Sequence, residues 1–239
     1  MTSTDSGQHP AEHHRNVQGG AARAAVFGVS DGLLTNVSLV LGVAGAGPGA
    51  GFVRLAGLAG LVAGACSMAA GEYISMSAQS ELLEKEIEVE RQALRDHPRS
   101  ERGELVRLYV QRGLDRALAE QVATALMERP ETALAVHTRE ELGVVPGETG
   151  SPWQAAGSSF VSFAIGAVIP LLPWFFSGGT GALVVSVVLG LVTSFAVGAA
   201  LARITARPVL LGGLRQLGIG AVAATITFGI GALVGVRAG

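Results

Sequence analysis

The chain has 239 residues, of which 15% are charged and 49% hydrophobic, with 34 glycines and a formal net charge of −2. Charged residues are well short of the roughly 25% of an average soluble chain, and 25 of the 36 Asp, Glu, Lys and Arg residues lie between Glu81 and Glu148. The remaining 171 residues cannot cover a soluble fold, the near-neutral balance carries no nucleic-acid footprint, and the single Cys66 excludes a disulfide framework or a thiolate zinc site.

Residues 1–20 are polar and lack an apolar core, which predicts a disordered tail over 1–22 and no cleavable signal peptide. A bilayer core of about 30 Å needs about 20 mainly apolar residues per helix. Residues 24–47 meet this with one charge, Asp31, and residues 55–80 with one, Glu72. A segment over 81–150 follows, with 15 acidic and 10 basic residues, and it reads as helical throughout. Its first helix has no breaker before it, so one helix is expected from about 55 to 96, stopped by His97-Pro98. Further helices are expected over 100–112, 115–128 and 131–142, with Pro130 in a first turn and Gly143 as a C-terminal cap. Leu105, Leu108, Val122, Leu126, Leu134 and Leu142 suffice for a small bundle core. Residues 151–239 contain three more candidate spans, 155–176, 180–202 and 216–236, none with a charge inside. Pro170 and Pro173 are placed to kink or end the third.

The fold class expected is therefore an all-α membrane protein, with five transmembrane helices and a helical insert between the second and third. Lys and Arg placement sets the orientation. With the N-terminus inside, fifteen basic residues fall on the inner side and only Arg54 and Arg237 on the outer. The N-terminus and the insert are then cytosolic and the C-terminus outside. Few Lys, many Arg and Ala, and no organelle-targeting segment point to a bacterial plasma membrane.

Asp31 and Glu72 are acids within spans, and a mid-bilayer carboxylate costs roughly 2.5–3.5 kcal/mol, so it normally meets a partner or a watery path. Asp31 is placed about 10 Å from the inner end of its span, and Glu72 and Met68 roughly 10 and 15 Å from the same face. Met68 and Glu72 are four residues apart on one helix side. A carboxylate with a soft sulfur suits a first-row transition metal better than Mg²⁺ or Ca²⁺. The alternative is that Glu72 snorkels to the interface and Met68 fills space. In the insert, Glu81, Glu84 and Glu88 share one helix face and Glu86 and Glu90 another, Glu101 and Glu104 are one turn apart, and His137 and Glu141 have a spacing that can chelate one ion. The plain alternative is a solvated, charge-balanced helical face. The pairs Gly28/Gly32, Gly60/Gly64 and Gly231/Gly235 permit close helix contact within or between subunits. His9, His13 and His14 lie in the tail, and Cys66 reads as a packing residue. No hydrolytic constellation, phosphate loop or dinucleotide fingerprint is present, so an enzyme is not expected.

The strings FGVSDGLLTNVSLVLGVAGA, MAAGEYISMSAQSELLE, YVQRGLDRALAEQVATALM and HTREELG resemble the vacuolar iron transporter family, in its bacterial branch. The resemblance covers nearly the whole chain from about residue 22. It implies a homodimeric, proton-coupled exporter of cytosolic Fe²⁺, with Mn²⁺, Co²⁺ or Zn²⁺ as alternative cargo and no permanently bound cofactor. It further implies that Asp31 and Met68 line a path at the dimer interface, with Glu72 at the second-span motif glutamate. Glu90, Glu101, Glu104 and Glu141 stand at the glutamates of the family's cytosolic metal-binding domain. The chain departs from the plant members at His137 and Thr138, where they carry a methionine pair, and at Ala93, where they carry a glutamate. A membrane-anchored metal buffer or sensor without flux, or a primarily Mn²⁺ exporter, are the alternatives.

Overall fold

Apolar runs of span length, punctuated by Pro and Gly, leave the backbone no partners in lipid except its own, which dictates helices. A computed structural model describes residues 20–47, 49–144 and 150–238, and among these all regular structure is helical. The expected tail with its histidines lies almost wholly outside the described residues; helix α1 begins at Gly20 and runs to Gly45. Then come α2 (Ala50–Asp96), α3 (Pro98–Gln111), α4 (Arg116–Met127) and α5 (Pro130–His137), a π-helical turn (Thr138–Leu142), and α6 (Pro152–Leu171), α7 (Pro173–Phe176), α8 (Gly179–Ile204) and α9 (Val209–Ala238). Five of these, α1, α2, α6, α8 and α9, are long and apolar enough to cross a membrane, as expected. Large apolar side chains stay exposed along them, among them Val184, Val188 and Val192 of α8 and Ile219, Val222 and Ile226 of α9, a surface suited to acyl chains and not to water.

The described residues form two compact units, one within Met1–Leu61 and Val161–Gly239, the other within Val62–Phe160, and α2 contributes to both. In the first unit α1 packs on α8 and α9, and α8 on α9. Small residues make this possible. The buried stripe of α8 is Ala182, Ser186, Gly190, Ser194, Gly198 and Ala202, one residue every four, so neighbouring backbones approach where a larger side chain would hold them off. Gly32 of α1 lies on the Phe163 backbone of α6, Gly231 of α9 lies on Gly42 of α1, and Gly235 lies on Ala46 just past its end. The Gly231/Gly235 pair is thus used within the chain. A Cβ at Gly231 would collide with the Gly42 carbonyl oxygen, whereas one at Gly229 meets nothing within 4 Å. Gly231→Ala is therefore expected to lower the thermal unfolding midpoint in detergent, at a cost of about 1–3 kcal/mol, and Gly229→Ala to leave it in place.

Two apolar clusters fill this unit. Leu33, Val37 and Leu41 meet Ile169, Leu183, Val187 and Ala224, and Val40 meets Val53, Leu171, Trp174 and Ala182. The third span is shorter than expected because Pro173, lacking an N–H, cannot continue α6; the helix stops at Leu171 and a single turn, α7, restarts. Ser186 of α8 donates at 2.8 Å to the Pro170 carbonyl near this break.

In the second unit α2 carries its helix unbroken from apolar into charged sequence and stops at Asp96, two residues before Pro98 enters the first turn of α3. Asp115 caps α4, accepting from the Ala117 N–H at 3.0 Å. Leu105, Ala119 and Ala123 are buried, as is Ala133. The short apolar face of α4 meets α3 and α5 through alanines, so these helices lie close. Cys66 is exposed on α2 and does not pack in a core.

Candidate metal centre

The stop at His97-Pro98 and the turn after α4 bring the acidic ends of several helices together. Glu90 lies near the end of α2, Glu101 and Glu104 in the first turns of α3, His137 at the end of α5, and Glu141 in the π-helical turn. One ligand atom each from Glu90, Glu101 and His137 lie within 4.8 Å of one another, and so do one each from Glu101, Glu104 and Glu141. Glu101 belongs to both groups. The first is the more enclosed: His137 is fully buried and Glu101 is 9% exposed. The second opens to solvent through Glu104 and Glu141.

The imidazole is set by its backbone contacts. Nδ1 of His137 lies 2.9 Å from the Ala133 carbonyl, and Nε2 lies 3.3 Å from the Glu101 carbonyl and 4.0 Å from a Glu101 carboxylate oxygen. In the tautomer that donates from Nδ1 to Ala133, Nε2 offers its lone pair to a cation among these oxygens. An imidazole held by a backbone carbonyl through its other nitrogen is the usual support for a metal-ligating histidine. Oε1 of Glu90 is also buried with no hydrogen-bond partner among the described residues. A buried carboxylate oxygen without a donor is costly, and a bound cation would satisfy it.

Electrostatics agree with the geometry. Burial raises the Glu90 carboxyl above the ordinary carboxylate value, and Glu141, Glu101 and Glu104 push the same way, against His137. Burial also raises Glu141, with Glu104 and Glu101 adding to it and His137 opposing. These groups are held in mutual repulsion until a proton or a metal joins them.

The helical spacing of His137 and Glu141 led to the expectation that they chelate one ion together. The two residues fall in different ligand groups, with a π-helical turn over Thr138–Leu142 following His137, while His137 still acts on the Glu141 carboxyl. The same turn divides neighbouring acids: Glu140 pairs with Arg112, leaving Glu141 to face Glu101 and Glu104. Gly143 caps it in the left-handed conformation, at φ 69°. Glu81, Glu84 and Glu88 enter neither group; Glu81 and Glu84 are exposed, and Glu88 pairs with Arg91. Ala93 is partly buried, and Thr138 bonds back to the Leu134 carbonyl at 2.9 Å.

Of the span residues, Asp31 belongs to the first unit and Met68 and Glu72 to the second. Asp31 is exposed on α1, beside the buried Gly32 and Leu33, so its carboxylate points away from the packing of its own unit; Met68 and Glu72 are partly buried. Two polar contacts in the spans escaped the sequence reading. Asn36 of α1 is fully buried, donates to the Ala167 carbonyl of α6 and keeps its Oδ1 unpaired among the described residues. Gln216 of α9 donates to Ser30 at 2.6 Å. An amide in an otherwise apolar run was the signal available for both.

The chain is similar to the vacuolar iron transporter of Acanthamoeba castellanii, at 36% identity over 241 aligned positions, 95% of this chain and 85% of that protein. It is 30% identical to vacuolar iron transporter 1 of Oryza sativa subsp. japonica, over 96% of this chain and 90% of that one. Vacuolar iron transporter 1 of Arabidopsis thaliana is also 30% identical, over 92% and 88%. The model of the VIT family matches residues 22–232, from the start of α1 almost to the end of α9. With four candidate spans inside that match and the fifth running just past its end, the chain is an integral multi-pass membrane protein and belongs to the VIT family.

Proposed function

We propose that this protein carries divalent metal, Fe²⁺ first and Mn²⁺ beside it, out of the cytoplasm in exchange for protons. The observation that carries the reading is the pair of ligand groups sharing Glu101, in a chain whose relatives are named for iron transport. A mixed carboxylate and imidazole set suits first-row transition metals, while the all-carboxylate group suits harder ions, Mn²⁺ among them. On this reading the insert faces the cytosol, collects ions, and raises their concentration near the path. The ion then passes to the span residues Asp31, Met68 and Glu72, repeated in a second copy. Protons arriving from the far side compete for the carboxylates and release the metal, since ligands must be deprotonated to bind.

The test is uptake into proteoliposomes of Fe²⁺, Mn²⁺, Co²⁺ and Zn²⁺, with and without an imposed pH gradient. Fe²⁺ flux that rises with the gradient is expected. Metal binding without any flux would leave a membrane-anchored buffer, and flux indifferent to the gradient would remove proton exchange.

A further inference from the structure

Helix α3 has two chemically opposite faces. Glu101, Glu104 and Leu105 point toward the acidic groups and the bundle core. A half-turn away, Arg99, Arg102, Gly103 and Arg107 face α4, where Arg116 and Glu120 join them, with Val106, Val110 and Thr124, in lining an open groove of about 520 Å³. Four guanidinium groups thus converge with one carboxylate in the lining. Two of them are weakly held: Arg107 meets Glu104, and Arg116 meets Glu120, each through a single contact at 3.3 Å between exposed side chains. Such pairs contribute little and exchange readily. Arg99 and Arg102 have no ion-pair partner among the described residues. Two of the four cations are thus without a countercharge among the described residues, and the other two hold theirs loosely.

The floor of the groove is also informative. Gly103 sits inside α3, where glycine is less favourable than alanine. A Cβ there would meet only an Arg107 guanidinium nitrogen, at 3.7 Å. No helix packing requires glycine at this point; its consequence is an unobstructed floor between the arginines, where a ligand can reach the helix backbone. The volume lies within the range of roughly 300–1,000 Å³ usual for small-molecule sites. Guanidinium forks match the tetrahedral oxyanion of phosphate, taking two oxygens at once.

We infer that the α3–α4 groove binds a phosphate-bearing anion, held by Arg99, Arg102, Arg107 and Arg116 over Gly103. The size and charge fit either a free phosphate compound or the headgroup of an anionic lipid. The site lies on the opposite face of α3 from Glu101, and of its four arginines Arg107 alone pairs with a ligand-group residue, Glu104.

The test uses the full chain in detergent with metal removed by chelator, titrated calorimetrically with pyrophosphate, and in parallel examined by native mass spectrometry for retained phosphatidylglycerol against phosphatidylcholine. Wild-type protein is expected to bind pyrophosphate, phosphatidylglycerol or both. Arg99→Gln with Arg102→Gln should weaken that binding about 10-fold or more, as loss of charged contacts does. Gly103→Leu should weaken it too, by filling the floor while keeping every charge. Mn²⁺ binding should persist in both variants and reports that the bundle is intact. Pyrophosphate binding alone assigns a soluble ligand, and phosphatidylglycerol retention alone a lipid headgroup. No binding of either ligand, or binding that both variants retain at wild-type strength, overturns the proposal.

Discussion

Replacing Glu101 by Gln is expected to weaken divalent-metal binding by about 100-fold while making the metal-free protein more stable. Loss of a supporting partner alone costs 10- to 100-fold at metal sites, and Glu101 belongs to both ligand groups, so the upper figure is the appropriate one. The opposite effect on stability follows from repulsion. The carboxyls of Glu90 and Glu141 are raised above 4.5, first by burial and then by their acidic neighbours, Glu101 among them. A carboxyl raised in the folded state contributes stability that is fully present below its unfolded value and is lost as pH rises through the folded one. Metal-free protein should therefore unfold at higher temperature as pH is lowered from neutral toward about 4.5.

Metal reverses that slope. Bound ions require the deprotonated carboxylates, and an ion at a hundred times its dissociation constant adds about 2.7 kcal/mol. Acidification must then release the metal and remove that gain. Unfolding midpoints measured against pH, with chelator and with excess Mn²⁺, should slope in opposite directions for the wild-type chain. Both slopes should flatten in Glu101→Gln. Identical slopes with and without metal would show that the clustered acids do not bind it.

Much of this architecture could be read from local sequence. The five spans follow from where charge is missing, and the helices of the insert from His97-Pro98, Asp115, Pro130 and Gly143, each of which acts within a turn of its own position. Nonlocal features were less visible. That Glu90 meets His137 and Glu101, while Glu81, Glu84 and Glu88 stay outside, depends on which face of α2 the bundle covers, and spacing separates the two acidic faces without choosing between them. The π-helical turn was hidden for a related reason. His137 to Glu141 has α-helical spacing, which gives no sign that the turn over Thr138–Leu142 is π-helical or that the two residues fall in different candidate groups. The small-residue stripe of α8 was written plainly, every fourth residue from Ala182 to Ala202. In a chain with 34 glycines it could be separated from chance only by the backbones that approach it.

Asp31→Asn is expected to reduce Fe²⁺ flux in proteoliposomes nearly to the rate of empty liposomes, with metal binding by the insert unchanged. The reasoning starts from where the carboxylate points. Asp31 is the only charged residue among 24–47, and it is exposed on α1 although Gly32 and Leu33 beside it are buried. Left against lipid it would cost roughly 2.5–3.5 kcal/mol, so its face needs cover from water, a metal or a second copy of the chain. The proposed path supplies all three, and two copies would bring two carboxylates to one ion. Asparagine keeps the size and an acceptor oxygen but removes the charge that binds a divalent cation and accepts a proton, so both cargo and counter-ion are lost together. Asp31→Glu restores the charge at a shifted position and should recover part of the flux. Glu101→Gln gives the complementary pattern: flux falls at low metal, where collection limits, and recovers at saturating metal, where it does not. Undiminished, gradient-dependent flux in Asp31→Asn would place the path elsewhere in the spans.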